Sequence, residues 1–370
     1  MCEPCCIGFA IYLGRHGVDT TRGASIVAAF GAEKRGSRVI SVSFIIAGLF
    51  GLALVVYLIV YSGAGEVANA MLVVGWWLVP ITAYHIVPML FSALSWRQLL
   101  PSATRPDVVS VTWIRWIRES INSLLPVANI GGDIASARLA HLRGVSGPQA
   151  AASMIVDTTV GVVTQMAFVI AGVALLVLRP TGDAAFEVVA GVLIGVGALV
   201  AAVTAFVLLQ HKNMFARFAK LARNMLPEKW LTHFAGSASD VDDAVVSAYR
   251  TGPAFWRANV LRLIGWAAGA GEVWLVTWCL GQSLSAADAF ILESLSSGVR
   301  AAAFMVPAAL GVQEGGLVLF GALFGLPAEI GLVISLSKRV RELLLGLPGL
   351  FFWYWIEGHY LLRRNGRGGA

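Results

Sequence analysis

Twelve ionisable residues lie in or beside strongly apolar stretches of this chain: Asp133, Arg138, Asp157, Arg262, Glu272, Glu293, Arg300, Glu314, Lys338, Arg339, Arg341 and Glu342. A single charge at bilayer depth costs about 2.5–3.5 kcal/mol on insertion scales, so several left unpaired would cancel the hydrophobic gain of a span. They must pair within a bundle or face a hydrated cavity. Both signs are present, and the expected pairing is Asp157 with Lys338 or Arg339. Each residue taken singly is open to a plainer reading, a buried ion pair that fixes helix packing. For the set as a whole a polar cavity is the preferred reading. Its basic groups suit a phosphate held by charge-assisted hydrogen bonds, for which arginine offers the better fork. Its acids can tune that site or carry protons.

Signatures of other chemistry are missing. The sequence has no G-x-S-x-G, no H-E-x-x-H and no P-loop. Gly191, Gly195 and Gly197 have helix-packing spacing and lack the third glycine of a dinucleotide turn. The six histidines are scattered. His85 lies inside an apolar span and reads as hydrogen-bonded within the bundle, a ligand role being the alternative. Of the four cysteines, Cys2, Cys5 and Cys6 crowd the N-terminus and Cys279 sits in an apolar span. Neither a disulfide framework nor a zinc site follows. No cofactor and no metal are expected, and no catalytic residue is assigned.

The composition explains why so few charges matter so much. Of 370 residues, 58% are hydrophobic and 13% charged, about half the charge of a soluble domain. Gly (40) far outnumbers Pro (13), which suits close helix packing in lipid. The net charge of +6 does not point to nucleic acid, because the basic residues sit between apolar blocks rather than on one aromatic-rich face. That placement follows the positive-inside rule.

A bilayer core needs about 20 apolar residues in a helix. Residues 39–65, 67–96, 158–178 and 188–210 meet this, and 258–280 does so around Arg262 and Glu272. A last apolar stretch follows Leu326 and is broken by Lys338 to Glu342 and by Pro348. Residues 121–142 and 301–324 are too short or too punctuated, by Pro126, Gly131 and Gly132 and by Pro307, Gly311, Gly315 and Gly316. Broken backbone at membrane depth is tolerated only beside protein or water, so both are expected to be re-entrant hairpins, kinked ordinary spans being the alternative. Loop charges put Lys34, Arg35 and Arg38, Arg97 and Arg105, the segment 211–254 and the tail Arg363, Arg364 and Arg367 on the cytoplasmic side. Six crossings with two hairpins satisfy every loop. The expected organisation is a cytoplasmic tail at 1–38, a transmembrane domain at 39–362 with halves near 39–210 and 255–362, and a basic tail at 363–370. The joining segment 211–254 has the pattern of an amphipathic helix on anionic lipid, or of a solvated connector.

An offset of 181 residues carries Pro126 onto Pro307, Asp133 onto Glu314, Leu142 onto Leu323, Gly144 onto Gly325 and Asp157 onto Lys338. With the loop charges placing the two hairpins on opposite sides, this is the pattern of an inverted repeat whose broken helices line a midplane site.

The run Asn122-Ser-Leu-Leu-Pro-Val-Ala-Asn-Ile-Gly-Gly-Asp133 with Arg138 and Gly144, and the later Pro307-Ala-Ala-Leu-Gly-Val-Gln-Glu314-Gly with Gly325, Arg339 and Arg341, resemble the lysylphosphatidylglycerol synthase transmembrane-region family. The wording 130–139 further resembles its hopanoid-biosynthesis-associated subgroup. The resemblance implies a flippase-like bundle that moves lipid between leaflets. Larger members add a cytosolic aminoacyl-transfer domain; none is seen before Ala370, so synthesis of aminoacylated lipid is not expected.

The sequence thus implies an all-α polytopic bundle of the inner membrane with both termini cytoplasmic. It is expected to translocate or handle a phospholipid, polyprenyl-linked or hopanoid lipid. The expected substrate-binding residues are Asn122, Asp133, Arg138, Asp157, Glu314, Lys338, Arg339 and Arg341. Membrane lipids are the expected partners, with lipid-biosynthesis enzymes beside them. An intramembrane lipid-modifying enzyme and a non-catalytic partner of lipid biosynthesis are the rival readings.

Overall fold

The computed structural model describes residues 56–57, 59–61, 64–125, 131–178, 245, 247, 252–282, 284–303 and 309–367, with side chains to 356. Every regular element among the described residues is a helix. The apolar stretch expected at 67–96 forms α1 (Ala64–Val74), a 3-10 turn at Gly75–Trp77, α2 (Leu78–Tyr84) and α3 (Ile86–Leu99). It is therefore not one regular helix. Pro80 and Pro88 each remove a backbone donor from the ladder, and the chain turns at His85 between α2 and α3.

There follow α4 (Val108–Leu124), α5 (Gly131–Leu142), α6 (Gly147–Val177), α7 (Pro253–Cys279), α8 (Ala286–Ala302), α9 (Val312–Ala322) and α10 (Ala328–Arg367). Asp107 caps α4, and bonds from the Ser110 hydroxyl and backbone N–H hold its carboxyl below the usual carboxylate value. Ser285 and Asp288 form a capping box on α8. Proline enters the first turn of α6 and α7, where its missing N–H costs nothing. Helix α6 begins well before the expected 158, and α10 runs through Pro348.

The stretch Ala64–Leu99, α6 and α7 are long and apolar enough to cross a bilayer. Trp76, Leu72 and Val79 lie exposed on the first of these, as a lipid-facing surface requires. The protein is a multi-pass membrane protein with an all-α fold. The expected span 188–210 and most of 39–65 lie outside the described residues, as do the N-terminal tail, residues 368–370 and nearly all of 211–254.

Both punctuated segments are helix–break–helix hairpins. In the first, Arg143 reaches Ser110, Arg118 Nε meets Asp133 at 2.6 Å, and Asn122 Oδ1 accepts the Gly132 N–H at 2.9 Å. These contacts step up one helix as they step down the other, so α4 and α5 are antiparallel. Twelve residues make α5 about 18 Å long, too short to cross. In the second, Gly316 abuts Val299, and α8 and α9 share Leu292, Leu295, Leu317 and Phe320 in one core. The break there holds Ala309 at φ 49° and Gly311 at φ 77°, and left-handed backbone at an alanine is strained. The prolines themselves, Pro126 and Pro307, lie outside the described residues.

The 181-residue offset is structural. It carries the first residue of α5 onto that of α9, and the first of α6 onto that of α10. Both short helices end in the same cap. Gly144 (φ 94°) and Gly325 (φ 72°) take the left-handed position. Val145 N–H bonds Ala140 O as Leu326 N–H bonds Gly321 O, and the glycine N–H groups bond His141 O and Ala322 O. That is a Schellman stop at matching places.

The repeats run in opposite directions. Helix α3 is antiparallel to α7, through Ser95 to Ala258 O and Gly265 against Pro88 and Phe91. It is also antiparallel to α4, through His85 to Glu119 and through Trp96 with Val111 in one core cluster. Helix α6 runs parallel to α7, with Asp157 on Arg262 and Thr164 on Trp266. It runs antiparallel to α8, with Gly172 on Ser294, Gly298 on Val169 and Gln165 Nε2 donating to Ser297 O. Helix α4 is antiparallel to α10, with Trp113 on Phe352, Gly349 on Ser120 and Gly346 on Leu124. It follows that α4 opposes its counterpart α8 in direction, as α6 opposes α10. Each hairpin's first helix packs on the other repeat's long helix. This is an inverted repeat, as the sequence implied.

Glycines permit these close crossings. A Cβ on Gly331 would lie 2.8 Å from Val318 Cα and 2.9 Å from Leu317 O, backbone atoms that cannot swing aside. Gly331→Ala is expected to cost about 1–3 kcal/mol by overpacking, measured as a lower unfolding midpoint in detergent. Gly315→Ala, with nothing within 4 Å of the new methyl, is expected to leave the midpoint unchanged.

Candidate functional site: a buried charge network

The interior of a bundle in lipid offers no bulk water, so buried charges are satisfied by each other. Here they form two clusters, one on each hairpin. In the first, α6 carries Asp157, whose carboxylate is fully buried. Three arginines surround it: Arg118 and Arg115 from α4, the latter at 3.3 Å, and Arg262 from α7 at 2.9 Å. Arg118 also meets Asp133 on α5, whose other oxygen accepts from the Thr158 hydroxyl at 3.1 Å. Arg115, Arg118 and Glu119 fall on one stripe of α4, three and four residues apart.

In the second cluster, Glu314 in the first turn of α9 accepts from Arg339 Nε and from the Ser335 hydroxyl, both at 3.2 Å. Arg339 also meets Glu342 at 3.3 Å. Arg341 pairs with Glu272 of α7, and Lys338 pairs with Glu293 of α8. The contact of Glu314 with Arg339 repeats that of Asp133 with Thr158 at the 181-residue offset.

His85, at the turn between α2 and α3, links the clusters. Its Nε2 lies 2.8 Å from Glu119 of α4, its Nδ1 meets Glu272 of α7, and Arg341 Nη1 stands 2.9 Å from that same Nδ1. Arg115 and Glu119 are one helical turn apart on α4, so charge continues from Asp133 on the first hairpin to Glu314 on the second. Among the described residues the contacts above join six fixed cations (Arg115, Arg118, Arg262, Lys338, Arg339 and Arg341) and seven carboxylates (Asp133, Asp157, Glu119, Glu272, Glu293, Glu314 and Glu342). A protonated His85 makes the counts equal.

Several buried polar atoms in it have no hydrogen-bond partner. On the first hairpin's side they are the donors Arg115 Nε, Arg262 Nε and Arg262 Nη1. On the second they include the acceptors Glu314 Oε2 and Gln313 Oε1. The two ends are thus chemically opposite.

Of the expected site residues, Asp133, Asp157, Glu314, Lys338, Arg339 and Arg341 all enter the network. Asn122 accepts the backbone N–H of Gly132 in the first turn of α5. Arg138 is half-buried on α5, and the carboxylates of Asp133 and Asp157 are held by other arginines. The expected pairing of Asp157 with Lys338 or Arg339 does not occur. Reciprocal packing of the repeats places Asp157 against α4 and α7, and Lys338 against α8. Arg115, Arg118 and Glu119 were not anticipated. The apolar spacing Val111, Ile114, Ile117, Ile121 marks 108–124 as an amphipathic helix and could have placed them on its buried side.

Residues 39–349 match the Lysylphosphatidylglycerol synthase TM region family, and the chain belongs to it. No curated protein and no solved structure matches.

Removing one partner of a buried ion pair leaves the other uncompensated. Asp157→Asn is therefore expected to cost about 3–5 kcal/mol, read by thermal unfolding in detergent. Asp107→Asn, at an exposed cap, is expected to cost under about 1 kcal/mol.

Proposed function

We propose that this family member translocates or handles a lipid between leaflets, passing a polar headgroup along the charge network while the acyl or polyprenyl tail stays in the bilayer. The single observation that supports this most is the convergence of two opposed hairpins, each bearing an acid just past its break, on one buried set of charges. A purely structural bundle has no need of so many charges in lipid, where apolar packing is cheaper. Broken helices tolerated at membrane depth are the usual mark of a substrate path.

In this reading the protein acts without catalysis and without a cofactor. It resides in the inner membrane with both termini cytoplasmic, as the positive-inside rule directs. Its substrate is a phospholipid, a polyprenyl-linked lipid or a hopanoid lipid, and enzymes of lipid biosynthesis supply or consume it. Asp133 and Glu314 act at the two ends of the path.

The test is transfer of a fluorescent phospholipid across reconstituted liposomes, followed by quenching of the outer leaflet. The wild type is expected to accelerate transfer over protein-free vesicles. Glu314→Gln, which loses a charge-assisted bond, is expected to slow it by about tenfold or more. Folded wild-type protein that moves no lipid would overturn the reading.

A further inference from the structure

We propose that the edge formed by Arg262 and Arg115 beside Asp157 is an anion subsite that takes a phosphate group. Arg262 is 4% exposed, and only its Nη2 is engaged, by Asp157. Its Nε and Nη1 donors have no partner, and neither does Arg115 Nε. Both guanidinium groups contact the same carboxylate, so the unpaired donors belong to two cations that flank one buried acid. Unsatisfied guanidinium donors in such surroundings are a strong demand for an acceptor. Their three unpaired N–H donors suit the oxygens of a phosphate.

Local charge agrees. Arg115, Arg118 and Arg262 outnumber Asp133 and Asp157, and the next carboxylate, Glu119, is turned onto His85. The Arg262 guanidinium packs on Gly161, whose added Cβ would stand 3.3 Å from Nη2 and 3.7 Å from Nε, so a side chain there would press on it. The cluster is not sealed, since the side chains of Glu119 and Asp133 are 40% and 22% exposed. The second hairpin cannot take the same group, because its unpaired atoms are the acceptors Glu314 Oε2 and Gln313 Oε1. The phosphate is carried by a lipid headgroup or is free in solution. Only the headgroup source rests on the lipid-handling reading.

The full chain in detergent is titrated with inorganic phosphate and, separately, with phosphatidylglycerol, following thermal unfolding and native mass spectrometry. Wild type is expected to bind at least one of them. Arg262→Lys keeps the charge facing Asp157 and removes the free edge, so it is expected to weaken binding by about tenfold or more. Arg115→Lys is expected to weaken it less, and carries the test if Arg262→Lys does not fold. Binding of phosphatidylglycerol but not phosphate assigns the subsite to a headgroup; the converse assigns it to the free ion. Unchanged binding in both lysine variants, or no binding of either probe to folded wild type, overturns the proposal. A wild type that binds phosphate but moves no lipid keeps the subsite and removes the lipid-handling reading.

Discussion

A carboxylate deep inside a membrane bundle must be neutralised by a neighbouring helix, and Asp157 carries that constraint for this protein. Arginines from α4 and α7 close over it. Its satisfaction therefore fixes three helices relative to one another, including the first arm of a broken hairpin. The same logic repeats at Glu272, where His85 and Arg341 arrive from opposite ends of the sequence. Apolar packing in lipid supplies little direction of its own. Charge pairing supplies it here, and glycines at Gly172, Gly331 and Gly349 let the backbones come near enough for the pairs to form.

The inverted repeat multiplies this constraint. Each hairpin's first arm lies along the other repeat's long helix, α4 on α10 and α8 on α6, and Asp157 with Arg262 and His85 with Glu272 tie the polar interiors of the two halves together. Within each half the long helix meets the first arm through charge, α6 by Asp157 on α4 and α10 by Lys338 on α8. The matching Schellman stops at Gly144 and Gly325 turn each short helix into its long successor at the same register. A site built this way has two chemically distinct ends, one rich in unpaired donors and the other in unpaired acceptors, joined through His85.

Much of this was legible in the residues. Hydropathy and the Pro-Gly punctuation marked both hairpins, and the 181-residue offset marked the repeat, because helix caps and breaks are local and carry local sequence signals. The burial of Asp157, Glu314 and Arg341 followed from their apolar flanks. Partner choice did not follow, because it depends on which helices cross. Asp157 met α4 rather than α10, a consequence of the reciprocal packing that no spacing encodes. The contact of Asn122 with the α5 backbone was not legible either, because it joins residues on the two sides of the break. Arg115 and Arg118 went unseen because attention to continuous hydrophobicity passes over an amphipathic helix whose buried side carries charge.

The central claim is that the buried charges are satisfied by one another between helices. It is tested most directly by a double-mutant cycle on Glu272 of α7 and Arg341 of α10, with unfolding free energies measured for Glu272→Gln, Arg341→Gln and the pair in lipid nanodiscs. A coupling energy above about 1 kcal/mol is predicted, the double variant losing far less than the two single losses combined. Additive losses, within about 0.5 kcal/mol, would contradict the account.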